Sequence, residues 1–246
     1  MPAIDPIIKK SDSNCLYTEA FYQAKRVMII APHPDDEVLG CGGTLLHYYK
    51  NEAIITVEYL TDGRYGLGGL GREMRKEEAR SIKSMLPAIQ QHFYDFEDSK
   101  LHEHRIEVTD ILAHAIQNYK PDVILSPWVL DRHPDHHVTS CCLSKALVIS
   151  AHDCLIACYE IMTPLMEGQS INITEYLDVK NALIDCYASQ VSLYNVKKII
   201  NSLNSYRAAL CRRESIKAAE CYYLTDSNNF TLLVEHHFSE YLNSRR

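Results

Sequence analysis

The apolar run Arg26-Val27-Met28-Ile29-Ile30 breaks into Ala31-Pro32-His33-Pro34-Asp35-Asp36-Glu37, and the chain then turns apolar again through Val38-Leu39-Gly40-Cys41-Gly42-Gly43-Thr44-Leu45-Leu46. Such a pattern reads as a buried strand, a turn and a helix. Pro32 and Pro34 restrict φ on both sides of His33 and remove two backbone donors, so the turn is a stiff loop. His33, Asp35 and Asp36 put three ionisable groups in four positions, which makes a poor core. A stiff loop bearing them suits a metal.

A second cluster, His133-Pro134-Asp135-His136-His137, lies about 100 residues on and follows another apolar run, Val123-Ile124-Leu125-Ser126-Pro127-Trp128. The periodicity predicts strands near 26–31, 53–60, 92–96, 122–127 and 154–161, alternating with helices near 37–50, 72–86, 104–119 and 138–149. Beyond a turn at Pro164 and Gly168 come a short segment near 171–176, helices near 178–188, 195–210 and 212–222, and a late edge strand at 230–234. The expected fold is α/β, a Rossmann-like three-layer sandwich with a mostly parallel sheet in the order 3-2-1-4-5 and extra C-terminal helices. We expect one domain over 1–246, with residues 1–20 a loose terminus. In that order the first and fourth strands are neighbours whose connections go to opposite faces, which opens a crevice at their carboxyl ends. The two His-Pro-Asp clusters would meet there.

The net charge of −7 argues against non-specific binding to nucleic acid. No apolar run approaches the roughly 18 residues of a spanning helix, and no signal-peptide pattern opens the chain. The expectation is a cytoplasmic protein without a membrane span, and self-association into a homo-oligomer is compatible with the sequence. Nine cysteines are scattered in mostly apolar surroundings, which favours free core thiols; the Cys154 and Cys158 pair looks like strand and not a metal site.

The order and spacing of Ala31-Pro32-His33-Pro34-Asp35-Asp36-Glu37, Thr61-Asp62-Gly63, Arg75-Lys76-Glu77-Glu78-Ala79, His133-Pro134-Asp135-His136 and Tyr187-Ala188-Ser189-Gln190 resemble the LmbE/PIG-L family of metal-dependent deacetylases. The resemblance spans roughly residues 25–222 and implies removal of the acetyl group from an N-acetylglucosamine conjugate. A hydrolytic zinc needs about three protein ligands and one open position, and His33, Asp36 and His136 are the expected set; iron(II) or another divalent metal suits the same donors. Resemblance assigns Asp35 as general base, and a carboxylate beside the metal but not bound to it can accept a proton. His133 is expected to stabilise the oxyanion or protonate the leaving amine, with Asp135 fixing its tautomer. Resemblance also puts Arg75 at the sugar, and Arg64 in the neighbouring loop is a second expected substrate contact.

Blander readings stand beside these. Glu73, Lys76, Glu77, Glu78 and Arg80 read as a solvated helix face. Asp131 and Arg132 are either a surface pair or substrate contacts, Trp128 either packs under its loop or stacks on a sugar, and Glu37 serves a helix N-terminus or supports a ligand. His137 reads as structural. Gly66, Gly68 and Gly71 match a dinucleotide fingerprint, but beyond the second strand they make a better loop beside the pocket. The expected partner is a small-molecule amino sugar conjugate, with another N-acyl substrate or a non-catalytic sugar- or nucleotide-binding role as alternatives.

Overall fold

The computed structural model describes residues 12–64, 67 and 71–243. Its strands are β1 (Arg26–Ala31), β2 (Ile54–Thr61), β3 (Gln90–Phe96), β4 (Val123–Pro127), β5 (Leu155–Tyr159), β6 (Gln169–Asn172) and β7 (Ala219–Asp226). They form one sheet in the order β3-β2-β1-β4-β5-β7-β6. The first five are parallel in the expected order, and β7 runs antiparallel to both β5 and β6.

The helices are α1 (Asp12–Gln23), α2 (Asp36–Leu39), α3 (Gly42–Lys50), α4 (Gly71–Ser81), α5 (Arg105–Tyr119), α6 (Pro134–Ser150), α7 (Leu177–Asp185), α8 (Ala188–Tyr194), α9 (Val196–Leu210) and α10 (Ser227–Asn243). A central parallel strand is apolar on both faces, and Val27 to Ala31 of β1 are fully buried. Val27, Ile29 and Ala31 join a core with Val38, Leu45, Ile82, Leu183 and Ile200, whereas Met28 and Ile30 join Leu112, Ile116, Leu143 and Phe230. Alternation along one strand thus serves two helical layers. No helix among the described residues is long and apolar enough to cross a membrane.

Several expected boundaries move. Most of the expected loose terminus precedes the described residues, but α1 already begins at Asp12, and Phe21 is buried against the Tyr48 and Tyr222 rings. The helix expected over 37–50 is split into α2 and α3: a Cβ on Gly40 would run into the Tyr159 ring, and the Gly43 and Thr44 amides donate to the Glu220 carboxylate at 2.7 and 2.9 Å. The helix expected over 212–222 gives way to β7, whose Cys221-Tyr222-Tyr223-Leu224-Thr225 favours a sheet. Phe230 and Val234, expected in an edge strand, are fully buried inside α10, where a spacing of four keeps both on one face. Gly66 and Gly68 of the glycine match lie outside the described residues.

Candidate metal centre

β1 and β4 are hydrogen-bonded neighbours, so the loops leaving their carboxyl ends adjoin. The first loop is tied to β2, because Thr61 donates through both N and Oγ1 to the Pro32 carbonyl at 2.8 Å. The turn is tight enough that the His33 amide donates to Asp36 Oδ2 at 2.8 Å, while His33 Nδ1 lies 3.2 Å from the same oxygen. In the second loop His133 caps α6, and the next turn delivers His136, whose Nε2 lies 3.3 Å from Asp36 Oδ2. One imidazole nitrogen from each loop therefore converges on one carboxylate oxygen. A ligand atom from His133 also lies within 4.8 Å of those of His33 and His136.

The far nitrogens face carboxylates. His33 Nε2 lies 3.2 Å from Asp135 Oδ2 and 3.4 Å from Asp98 Oδ1, and His136 Nδ1 lies 3.2 Å from Asp131 Oδ1. Carboxylates behind imidazoles in this way fix their tautomer and orientation toward a metal. Asp135 departs from its expected use. Its backbone N–H donates to His133 Nδ1 at 3.2 Å, but its carboxylate accepts from Ser99 N at 2.7 Å and serves His33. The tautomer of His133 is thus set by the main chain, which leaves the ring proton on Nε2.

Burial would lower the His33 pKa, but hydrogen bonds to the Asp135, Asp36 and Asp98 carboxylates raise it well above the ordinary imidazole value. Burial likewise opposes His136, and the charge of Asp36 with the support of Asp131 lifts it to about 9. Burial would raise Asp36, and the two imidazoles pull it down. Burial and the neighbouring positive imidazoles hold His133 down at about 4. The carboxylates therefore bind positive charge tightly, which is what a divalent cation would supply. Two imidazoles, a carboxylate between them and a buried ring of further carboxylates fit such an ion, with His33, Asp36 and His136 able to hold it.

Beside this set stands Asp35, whose backbone has φ 131°, a region seldom adopted outside glycine. Its Oδ2 lies 2.9 Å from Arg75 Nη2, which also donates to the Pro34 carbonyl. Burial pushes Asp35 up to about 6, against the pull of Arg75. Arg75, expected at the sugar, is 1% exposed and lies beneath Asp35. The Thr61-Asp62-Gly63 turn makes room for it: Gly63 has φ +59°, and a Cβ there would come within 2.8 Å of Pro34 Cδ and 3.1 Å of Arg75 Nε. Arg64, the other expected substrate contact, is paired with Asp62 at 3.2 Å and Glu97 at 3.3 Å.

Glu78 is no solvated residue. It lies 3.2 Å from Arg75 Nη1 and accepts from both Ser189 N and Ser189 Oγ at 2.8 Å. Glu37 is fully buried, accepts from the Tyr187 hydroxyl and from Asp35 N at 3.1 Å, and burial lifts it to about 7. Asp131, read above as a surface or substrate residue, is buried and also accepts from Met162 N and Thr163 N at 3.0 Å. Trp128 packs on Tyr223 and His137 on Phe238. Asp98 was not anticipated, although its place just past the carboxyl end of β3 is where such folds gather ligand groups. A separate groove of about 1710 Å³, lined by Glu58, His92, Tyr94 and Lys145 among others, shares no residue with this cluster.

Residues 28–147 match the PIG-L family, described as GlcNAc-PI de-N-acetylase. Over 127 residues the chain is 33% identical to diacetylchitobiose deacetylase of Thermococcus kodakarensis, a match covering 48% of this chain and 47% of that one, so it spans about half the length of that relative. The N,N'-diacetylchitobiose deacetylase of Pyrococcus horikoshii shares the fold with a TM-score of 0.71 at 18% identity, over 91% of this chain and 96% of that one. The hydratase GalB of Pseudomonas putida KT2440, which acts on 4-carboxy-2-hydroxymuconate, shares it with a TM-score of 0.66 at 18% identity, over 81% and 95%. The fold is thus common to more than one chemistry, and the matched stretch contains both His-Pro-Asp loops. Both loops thus lie within a PIG-L, or LmbE-like, family match that spans just under half of the chain.

Proposed function

We propose that the protein is a metal-dependent hydrolase that removes the N-acetyl group from an N-acetylglucosamine-type conjugate, releasing acetate and a free amine. The observation that carries this reading is the convergence of His33 Nδ1 and His136 Nε2 on Asp36 Oδ2, with Asp35 beside them. His33, Asp36 and His136 would hold a divalent cation, zinc by preference, which when bound would supply Lewis acidity and lower the pKa of a water toward about 7. Asp35 acts as general base: Arg75 engages Oδ2, and Oδ1 is the oxygen we assign to take the proton. His133, neutral and protonated on Nε2, donates to the oxyanion as the carbonyl becomes tetrahedral, a contribution typically worth about 3–4 kcal/mol. Asp135 and Asp131 hold the imidazoles of His33 and His136 in place.

The substrate class follows the deacetylase relatives, and the negative chain favours a neutral or cationic conjugate. We read the chain as one deacetylase-like domain, because the sheet continues from β5 into β7 and the Tyr187 segment returns to the first loop. The test is acetate release from a panel of N-acetylglucosaminides, with and without chelator. Metal-dependent release from at least one member is the expected result. Release from none, together with hydration of a conjugated double bond, would move the reading to the chemistry of the hydratase neighbour.

A further inference from the structure

Asp35 bears an unfavourable backbone conformation at the point where, on the reading above, a proton must be taken. A side chain in such a conformation keeps it only when its surroundings over-determine it. Two pins do so: the Asp35 N–H donates to Glu37 Oε2 at 3.1 Å, and Asp35 Oδ2 meets Arg75 Nη2 at 2.9 Å. Each pin ends on a group that is itself fixed by one short segment far along the chain. The Tyr187 hydroxyl donates to Glu37 Oε1, and Ser189 N and Oγ both donate to Glu78, the second partner of Arg75. Arg75 also lies over the Tyr187 ring, its Cζ 5.5 Å from the centroid. Tyr187 is fully buried and Arg75 nearly so, where a loose polar group would be costly. This segment lies beyond residues 28–147, although it belongs to the wider pattern of motifs noted in the sequence.

We propose that Tyr187 and Ser189 form a two-pronged clamp that positions Asp35, one prong acting through Glu37 and the other through Glu78 and Arg75. The clamp rests on the hydrolase reading for its purpose but not for its existence. Packing alone would not require it, since a phenylalanine fills the space of Tyr187 and an alanine that of Ser189. The positioning residues act through Asp35.

The experiment uses the full chain with Tyr187→Phe, Ser189→Ala and Glu78→Gln, and Ser192→Ala on the same helix as control. Amide hydrogen exchange across residues 33–38 is expected to rise about tenfold or more in the first three and to stay unchanged in the control. On an amide substrate, kcat is expected to fall about 10- to 100-fold with KM within about twofold. The same substitutions should add less than about twofold in an Asp35→Asn background, and Ser189→Thr should restore the Ser189→Ala loss. Tyr187→Phe keeps the ring, and so covers a failure of Glu78→Gln to fold. Unchanged exchange in all three variants would overturn the clamp, as would a kcat loss that persists undiminished without Asp35. A wild-type protein that cleaves no amide would defeat the hydrolase reading alone, and the exchange result would still decide the clamp.

Discussion

Arg75 Nη2 stands 2.9 Å from Asp35 Oδ2, with the two side chains 1% and 8% exposed. Taking one partner from a buried pair leaves the other charge uncompensated, at a typical cost of about 3–5 kcal/mol. Arg75→Met should therefore lower unfolding free energy by about 3 kcal/mol in urea titration. Arg75→Lys should recover little, since one ammonium cannot serve Asp35, Glu78 and the Pro34 carbonyl as a planar guanidinium does. A loss below about 1 kcal/mol for Arg75→Met would mean that the pair contributes little.

Separation of metal from turnover is the second expectation. Asp35→Asn should retain metal at wild-type stoichiometry and lose about 10²- to 10⁴-fold in kcat, because it removes a proton acceptor and no donor to the ion. His136→Ala should lose both. Elemental analysis of the purified variants alongside the acetate assay checks this, and near-normal turnover in Asp35→Asn would put the base elsewhere.

Asp131 offers a third test. Its Oδ1 backs His136 while Oδ2 accepts from the Met162 and Thr163 amides, so it joins the imidazole to the loop after β5. Asp131→Asn should weaken metal binding about 10- to 100-fold, as read by competition with a chromogenic chelator. Equal affinity in both proteins would show that the orientation of His136 is set without it.

The stability of the metal-free protein should depend on pH in a defined direction. His136 is raised in the fold to about 9, so its contribution is full below the unfolded value of about 6.5 and is lost as pH climbs toward 9. Asp35 and Glu37, which burial lifts to about 6 and about 7, lose stability in the same direction as they ionise. Asp36 and Asp131 are lowered, so their contribution is present above about pH 4 and lost below it. With chelator present, the melting temperature should fall by roughly 5–10 °C between pH 6 and pH 9. Added zinc should reverse the trend, since ligands that shed protons bind metal more tightly as pH rises. Scanning calorimetry at pH 5, 7 and 9 decides it, and a flat or rising profile without metal would contradict the charge balance described here.

The two His-Pro-Asp loops could be read from the chain because each compresses its chemistry into a few consecutive residues after an apolar strand, and the strand order followed from alternating elements. Groups that depend on distant packing could not be read in this way. Glu78 sits three residues after Arg75 on a charge-laced helix and looks like half of a surface pair; only Ser189, more than a hundred residues on, shows otherwise. Asp98 lies in a polar turn whose local composition resembles any other loop, and only the position of its strand would have singled it out. At the C-terminal end, β7 and α10 exchanged places with the expected helix and strand. The four-residue spacing of Phe230 and Val234 is a helical period, which puts both on one face of α10.

The hydroxyl of Tyr187 reaching back to Glu37 also has a consequence for how the molecule comes into being. A ribosome delivers His33, Asp36 and His136 well before it delivers Tyr187 and Ser189. A nascent chain halted near residue 150 would hold every donor for an ion and yet lack the hydroxyls that discipline the loop. On the hydrolase reading, the donors of the site would therefore leave the ribosome before the hydroxyls that pin Asp35.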